Sequence, residues 1–245
     1  MDEPLGAGPA RRASDRGRYG RLNRERVLAS ALELVDGEGL SALSMRRLGG
    51  ELGVEAMALY RYASSKDALL DGLVEALYLE LEERLGAQPG DPAASGSPAW
   101  RSGLHRIART TYDVCLAHPR AVPLLATRML AVPLARRPAA VLRDHERVLA
   151  LLAEAGFDEE GASAVFRAFT AWLLGYVSVE LQPMVDNPEE SDPAFRLGLH
   201  RMPPQELPRL RQAAPALAER GGREGLAEGL DALLDHFTAQ GRTAR

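Results

Sequence analysis

The sequence predicts an all-α protein, and three observations support that fold class. Residues that form helices readily, above all Ala, Leu, Arg and Glu, are abundant in the composition. Aromatic residues, which favour strands, make up only 5% of the chain. Apolar residues recur at helical spacing through most segments, and no segment has the length and alternation of a convincing strand. We therefore expect helices packed on helices.

The composition also limits the class of protein. Its 245 residues suffice for one large or two small domains. No uninterrupted apolar run approaches the roughly 18 residues that cross a bilayer, and the N-terminal MDEPLGAGPARR lacks the apolar core of a secretory signal. The single cysteine, Cys115, excludes an internal disulfide framework and fits a reducing compartment. These features predict a cytoplasmic protein with no membrane partner.

Residues 1–21 predict a disordered basic arm, because Gly, Pro and Arg dominate them and no apolar periodicity is present. Seven arginines lie between Arg11 and Arg26 against two acids, Asp15 and Glu25, although the whole chain carries a net charge of -4. Such a local excess can neutralise the phosphates of a nucleic acid. A solubilising tail is the alternative interpretation.

Residues 22–85 predict a head of three helices followed by a long fourth helix. The first helix has an apolar face from Val27 to Val35, and the fourth keeps helical spacing almost to Leu85. The expected start and stop signals are Gly37 and Gly39 after the first helix, Ser44 and Gly53 around the second, Glu55 and Tyr62 at the ends of the third, and a capping box of Ser64 and Asp67 before the fourth.

Residues 86–99 predict a linker from their Gly, Pro and Ser content, and residues 100–245 predict a second helical domain. Its expected helices are 100–118, 121–130, 138–155, 158–182 and 222–240. The segment 158–182 is apolar on nearly every side and should be covered on nearly every side. Residues 183–221 hold seven prolines and predict mostly loop, with room for one short helix. His118, before Pro119, is expected to cap a helix end.

The segment from about Ser44 to Ala63 predicts a helix-turn-helix, in which Gly53 supplies the turn and the second helix can enter a major groove. That geometry alone is a weak signal, because many helical hairpins share a Gly-containing turn. Residues 22–77 as a whole, above all LGV…LYRY…SKDALLD, strongly resemble the DNA-binding domain of tetracycline-repressor-like (TetR family) regulators. Beyond the linker, the pair Thr127–Arg128 and the runs LAEAGF and LLGYV are similar to the branch nearest the tetracycline repressor itself.

The resemblance implies a DNA-binding head, a connecting fourth helix, and a body that binds a ligand and dimerises through a four-helix bundle. It also implies a set of DNA-binding residues, position by position: Ser44, Arg46, Ala56, Met57, Ala58, Tyr60, Arg61, Tyr62 and Lys66. Ser44, Arg46 and Lys66 match phosphate contacts. Arg61 is the candidate for a bidentate contact to guanine, with a phosphate contact as the alternative. Tyr60 matches a phosphate contact, with a place in the core as the alternative.

Family members are usually switched by a small molecule inside the body, and tetracycline-responsive members hold a magnesium–drug chelate through a histidine and a glutamate. Leu125 and Val179 occupy those positions here, and Glu180 lies one residue, about 100° of helix, away. We therefore expect no metal and no cofactor. Candidate effector contacts are residues that place a ring or a polar tip on apolar helices: Trp100, His105, Tyr112, Met129, His145, Phe166, Phe169, Trp172 and Tyr176. The same residue types serve as ordinary core; if they do bind a ligand, it is mostly apolar.

These observations predict a homodimeric repressor of a pseudo-palindromic operator, with its recognition helices about 34 Å apart and an unknown small-molecule effector that releases it. The alternative is an all-α enzyme or small-molecule-binding protein whose helix-turn-helix is only structural. The sequence contains no GxSxG, P-loop or HExxH motif, and no paired acid–base cluster at a recognisable spacing, so an enzyme is not expected.

Overall fold

A computed structural model describes residues 22–87, 97–181 and 205–243, together with the single residues 191, 198, 201 and 203. Within these ranges the regular structure is α-helix with short 3-10 turns, and no strand occurs. The predicted all-α class is confirmed. The predicted basic arm, the central part of the predicted linker and most of the proline-rich segment lie outside the described residues.

The head comprises α1 (Arg24–Glu38), α2 (Met45–Leu52) and α3 (Ala56–Leu59), and α4 (Lys66–Ala87) leads away from it. Side chains cap the first two helices. Asn23 Oδ1 accepts a hydrogen bond from the Arg26 amide at 2.8 Å. Ser44 Oγ accepts one from the Arg47 amide at 3.1 Å, which confirms the N-cap expected there. Both bonds satisfy amides that the first turn of a helix leaves without partners.

The boundaries of α3 and α4 differ from the prediction. α3 ends at Leu59, and the chain continues as a turn in which the Tyr62 amide bonds to the Leu59 carbonyl at 2.8 Å. The predicted capping box at Ser64 is wrong by one residue, because Ser65 Oγ accepts from the Ala68 amide at 3.0 Å. Two adjacent serines carry the same hydroxyl, and the turn that precedes α4 decides which one reaches the helix.

Two glycines allow α2 and α3 to approach closely. Gly53 ends α2 with φ +66°, in the left-handed region that side chains disfavour. Gly49 lies inside α2, where an added Cβ would stand 2.8 Å from the Val54 carbonyl oxygen and 3.3 Å from the Ala56 amide nitrogen. Both neighbours are backbone atoms that cannot rotate away. The sequence pattern indicated Gly53 but gave no sign of Gly49.

A compact apolar core holds the head together. Its fully buried side chains include Val27, Leu48, Leu59, Leu69 and Leu73, one or more from each of the four helices. Burial of each contributes about 1.5–3 kcal/mol relative to exposure. α3 has only four residues and would not be stable alone. Burial of Leu59 therefore fixes α3 against the rest of the head.

Among its described residues the body contains six further helices: α5 (Ala99–Ala117), α6 (Val122–Ala131), α7 (Ala139–Glu154), α8 (Glu159–Leu181), α9 (Pro208–Ala218) and α10 (Gly222–Thr243). α9 is a short helix in the described part of the proline-rich segment, and Pro208 stands in its first turn, where a missing amide costs nothing. Cys115 is buried on α5, and burial raises the pKa of its thiol to about 12, so the thiol stays protonated and unreactive.

The long helix α8 differs from the expectation that no segment is long and apolar enough to cross a bilayer. Its length and composition would allow it to cross a membrane, although the sequence has no uninterrupted apolar run. The same criterion is met by core helices of water-soluble proteins. One face of α8 is indeed packed in the core, through Val165, Phe169, Leu173 and Val177. The opposite face is exposed at Ala171, Gly175 and Val179, which follow one another at intervals of four, so the expectation that this helix is covered on nearly every side is not met within a single chain.

Polar contacts join the head to the body. His118 ends α5 as expected, but its ring lies between two carboxylates: Nδ1 is 2.7 Å from Asp36 on α1, and Nε2 is 2.9 Å from Glu80 on α4. On α6, Arg128 bonds to Asp67 at 3.0 Å and to Asp71 at 2.8 Å in the first two turns of α4. α4 is therefore tied to α1, α5 and α6, so a shift of the body can reach the head through it.

Candidate nucleic-acid interface and ligand cavity

Three basic side chains on the head are available to an external anion. Arg46 on α2, Arg61 after α3 and Lys66 at the start of α4 are exposed, and none of them has an ion-pair partner among the described residues. Arg47 is different, because its guanidinium contacts Glu38 and Glu51, each at 2.5 Å. Glu38 thereby raises the pKa of Arg47 further, through a hydrogen bond and its charge. Of these two neighbouring arginines, Arg47 stabilises the head, while Arg46 has no ion-pair partner among the described residues.

The surface of α3 is apolar and exposed. The side chain of Met57 is 74% exposed and that of Tyr60 is 44% exposed, while Ala56 and Ala58 are half-buried. Met57 and Tyr60 therefore place apolar surface on the same short segment as the exposed cation Arg61. The exposure of the Tyr60 ring argues against a place in the core, which the sequence had left open.

Two other candidate DNA-binding residues already have hydrogen bonds inside the head. The Tyr62 hydroxyl donates to the Leu22 carbonyl at 2.8 Å, and its ring is half-buried. Tyr62 therefore fixes the start of α1, and its hydroxyl proton is not free for phosphate. Ser44 uses an oxygen lone pair to cap α2, but its hydroxyl proton can still be donated outward.

An enclosed cavity lies in the body between α4, α5, α7 and α8. Polar or aromatic side chains that line it are Tyr78, Thr111, Asp144, His145, Phe166, Phe169 and Thr170. The volume of the cavity is about 20 Å³, close to the minimum that one water needs. The walls must therefore separate before a larger molecule can enter.

His145 is the unusual group in this cavity. It is only 7% exposed, and neither ring nitrogen has a hydrogen-bond partner within the described structure. The ring stands edge-on to Phe166, with centroids 5.0 Å apart. Burial lowers the pKa of His145 to about 4, helped by the positive charge of Arg137, so the ring is neutral at physiological pH.

Asp144 brings a carboxylate to the same wall. It is 7% exposed, and burial raises its pKa to about 6, against the opposing effect of Arg147 at 3.3 Å. Burial also raises the pKa of Tyr78 on α4, so the phenol keeps its proton. The cavity therefore presents a neutral imidazole and a neutral phenol, and above about pH 6 one carboxylate.

Three of the nine candidate effector residues line the cavity: His145, Phe166 and Phe169. Trp100 instead packs edge-on against Phe157 with centroids 6.3 Å apart. His105 Nε2 lies 2.8 Å from Asp231, which Arg101 also contacts, in a network that joins α5 to α10. The side chain of Met129 lies outside the described residues.

The remaining three candidates, Tyr112, Trp172 and Tyr176, form an aromatic group on α5 and α8 that packs against α10. Tyr176 stacks between Tyr112 and Trp172, at centroid distances of 6.3 and 5.7 Å. Its hydroxyl donates to the Gly222 carbonyl at 2.7 Å. The Trp172 ring lies against Gly229, where a Cβ would come within 2.9 Å of it. This aromatic group is separate from the residues that line the cavity.

Sequence reasoning missed four polar lining residues: Tyr78, Thr111, Asp144 and Thr170. Asp144 offered a signal, because it follows Val141 by three residues and precedes Val148 by four. An acid at that spacing lies on the buried face of α7. No comparable signal marks Tyr78, since the packing of α4 against α5 and α7 decides which side of α4 meets the cavity.

The two positions at which the sequence resemblance implied a magnesium–drug chelate have other roles here. Leu125 is buried on α6, and Val179 is 55% exposed on α8. Glu180 accepts hydrogen bonds from the amides of Gly221 and Gly222, each at 3.1 Å, and so fixes the start of α10. Within the described ranges, no three His, Cys, Asp or Glu side chains are close enough to hold a metal ion.

Two family models match this architecture. The model of bacterial regulatory proteins of the tetR family matches residues 27–73, which contain most of α1, all of α2 and α3, and the start of α4. The model of the tetracyclin repressor-like C-terminal domain matches residues 92–240, more than half of the chain. The chain belongs to the TetR family. The family resemblance seen in the sequence, in both the head and the body, is therefore confirmed.

Individual TetR relatives agree with this assignment. An HTH-type transcriptional regulator of Saccharopolyspora erythraea is 36% identical over 159 residues, which are 65% of this chain and 61% of the relative. The HTH-type transcriptional repressor DrrR1 of Streptomyces coeruleorubidus is 35% identical over 155 residues, 63% of this chain and 52% of the relative. The matched region thus spans less than two thirds of the length of either relative.

A solved TetR structure shows the same fold. The Streptomyces coelicolor TetR family protein ActR, in complex with actinorhodin, superimposes with a TM-score of 0.69. The match covers 89% of this chain and 96% of that chain at 24% sequence identity. At this identity the likeness establishes the shared fold of head and body.

Proposed function

We propose that this TetR family chain is a homodimeric transcriptional repressor that works in the cytoplasm. It binds a pseudo-palindromic operator through α2 and α3, and a small, mostly apolar effector releases it from DNA. The observation that carries the proposal is the set of exposed, unpaired cations Arg46, Arg61 and Lys66 around the helix-turn-helix. DrrR1 is named as a repressor, and ActR was solved with actinorhodin bound, which supports both parts of the proposal.

The free side chains have different roles on DNA. Arg46, Lys66 and the outward hydroxyl of Ser44 contact phosphates and set the register of the head on the duplex. Arg61 reads a guanine through its O6 and N7 atoms, with a phosphate contact as the alternative. Ala56, Met57 and Ala58 offer van der Waals contact, for example to a thymine methyl group, and Tyr60 reaches phosphate. Tyr62 acts indirectly, by fixing the start of α1.

The dimer forms through the exposed face of α8. The exposed small residues of α8, Ala171 and Gly175, allow close approach of a second copy, and Val179 adds an apolar side chain that is 55% exposed. A largely apolar helix requires cover on its outer face as well. Twofold symmetry then places two heads on successive major grooves, about 34 Å apart.

The cavity communicates with the head through α4. Tyr78 of α4 lines the cavity, and Lys66 at the start of the same helix contacts DNA. A ligand that enlarges the cavity displaces α4 and changes the separation of the two heads. Only about 1–3 kcal/mol of coupling is needed to change operator occupancy severalfold to a hundredfold.

A mobility-shift titration tests DNA binding. The probe is the DNA upstream of the protein's own gene, at about 50 and 200 mM salt, followed by selection of sites from random DNA. Several phosphate contacts predict a fall in affinity of about a thousandfold or more between the two salt concentrations. Failure to select any palindromic site, or binding without a steep salt dependence, contradicts the repressor and favours an all-α binding protein or enzyme.

Variants of the free cations separate base contacts from phosphate contacts. Arg61→Ala should relax specificity at one base pair, by about 1–3 kcal/mol, whereas Lys66→Ala should weaken binding to all sequences evenly. Arg209→Ala, an exposed arginine on α9, serves as the control and should leave both properties unchanged. Equal loss across all sites in both head variants would assign Arg61 to phosphate.

A further inference from the structure

His145 can form hydrogen bonds that the protein itself does not use. Its ring is neutral, so one nitrogen donates and the other accepts, and both are buried without partners in the described structure. A hydroxyl group on a ligand can donate or accept and therefore suits either nitrogen. The geometry thus calls for a hydroxyl-bearing occupant of the cavity rather than a purely hydrocarbon one.

The charges around the cavity exclude an anion. No lysine or arginine is among the residues that line it, and Asp144 is the one lining residue that becomes charged near neutral pH. An anionic ligand would meet the Asp144 carboxylate directly, because Arg137 and Arg147, whose charges act on His145 and Asp144, are not among the residues that line the cavity. Asp144 already has Arg147 at 3.3 Å, so it does not require a cationic ligand either.

The shape of the walls favours a flat ring system. Phe166 and Phe169 of α8 and Tyr78 of α4 give the cavity aromatic surfaces, and Ile107 and Leu173 complete its apolar part. Aromatic rings stack edge-on or offset against such surfaces. Because the unexpanded cavity has room for about one water, a flat molecule can enter with the smallest displacement of these helices.

We propose that the effector is an uncharged, hydroxylated aromatic molecule and that His145 selects it through a hydrogen bond to its hydroxyl group. This inference depends on the proposed function, because it assumes that the cavity is the effector site. His145 discriminates by polarity, while Phe166 and Phe169 provide apolar contact. Tyr78 transmits the expansion of the cavity to α4.

Four naphthalene compounds of similar size test the ligand class. Equilibrium dialysis of the full chain at about pH 7.5 compares α-naphthol, naphthalene, α-naphthoate and α-naphthylmethylammonium. We expect α-naphthol to bind about tenfold or more tightly than each of the others, as one buried hydrogen bond predicts. Equal or tighter binding of the anion or the cation, or no binding of any probe, overturns the inference.

Variants at position 145 test the residue. His145→Phe keeps an aromatic ring but removes both nitrogens, so it should weaken α-naphthol about tenfold and leave naphthalene unchanged. His145→Gln keeps a donor and an acceptor and should retain most of the affinity. His236→Phe, at an exposed site on α10, is the control and should change neither. Unchanged α-naphthol affinity in His145→Phe overturns the role of His145; if that variant does not fold, the four-probe comparison on the wild type decides.

The same protein samples distinguish the two proposals. Wild-type chain that binds its operator with a steep salt dependence, yet does not prefer α-naphthol, contradicts the ligand class alone. Wild-type chain that binds α-naphthol through His145 but no palindromic DNA contradicts the repressor and leaves the ligand class standing.

Discussion

At the residue scale, similar side chains have different roles because their neighbours differ. Arg46 and Arg47 are adjacent in the sequence, yet Arg47 is paired with Glu38 and Glu51 while Arg46 is free. His118 lies between two carboxylates, whereas the His145 ring has no hydrogen-bond partner among the described residues. These differences determine which residues stabilise the fold and which remain available to a ligand or to DNA.

Asp144 makes stability depend on pH in a defined direction. Burial raises its pKa from 3.8 to about 6, so its contribution to stability is present below about pH 4 and is lost as pH rises through 6. Asp144→Asn should therefore raise the free energy of unfolding by about 1–3 kcal/mol at about pH 7.5, and the gain should vanish near pH 4. Urea unfolding at several pH values measures both.

The control for this prediction is Glu146→Gln, an exposed acid two residues further along α7. It should change stability by less than about 0.5 kcal/mol at either pH. A constant loss of stability in Asp144→Asn across the whole pH range would mean that the bond to Arg147 outweighs the burial of the charge.

At the scale of elements, backbone approach determines the geometry of the helix-turn-helix. Gly49→Ala places a Cβ 2.8 Å from the Val54 carbonyl oxygen, and since both helices are anchored by buried leucines the clash must shift α3. We expect a loss of about 1–3 kcal/mol in stability, together with weaker operator binding. Thermal unfolding and mobility shift measure the two effects.

Gly50 provides a matched control for Gly49. It lies in the same helix, is exposed, and has no atom within 4 Å of an added Cβ. Gly50→Ala should therefore be neutral or stabilise α2 by up to about 1 kcal/mol, as expected for Gly to Ala in a helix. If Gly49→Ala behaved like Gly50→Ala, the close approach would not limit the position of α3.

At the scale of the whole molecule, the exposed face of α8 determines the oligomeric state in our proposal. Ala171→Glu puts a charge into the proposed dimer contact and should shift the protein towards monomer, with loss of operator affinity because two linked heads are needed. Sedimentation velocity measures the mass. Ala153→Glu, at an exposed alanine of α7, is the control and should remain dimeric. An Ala171→Glu variant that stays dimeric would locate the interface elsewhere.

Much of this architecture could be predicted from local sequence, because local interactions determine it. Helical spacing of apolar residues, the Ser44 cap and the left-handed Gly53 all act within a few residues, and the structure confirms them. The family resemblance indicated the head and, more weakly, the body. Local sequence could not choose between two adjacent residues of the same type, and the structure shows that Ser65 rather than Ser64 caps α4.

The sequence by itself determined the fold class, the helix-turn-helix and the residue types able to contact DNA. Tertiary structure alone decided which cations are free, why Gly49 must be small, and which three of nine candidate residues line the cavity. The physical reason is distance along the chain. Tyr78 and His145 are 67 positions apart, and only the packing of α4, α5, α7 and α8 brings their side chains to one enclosed space.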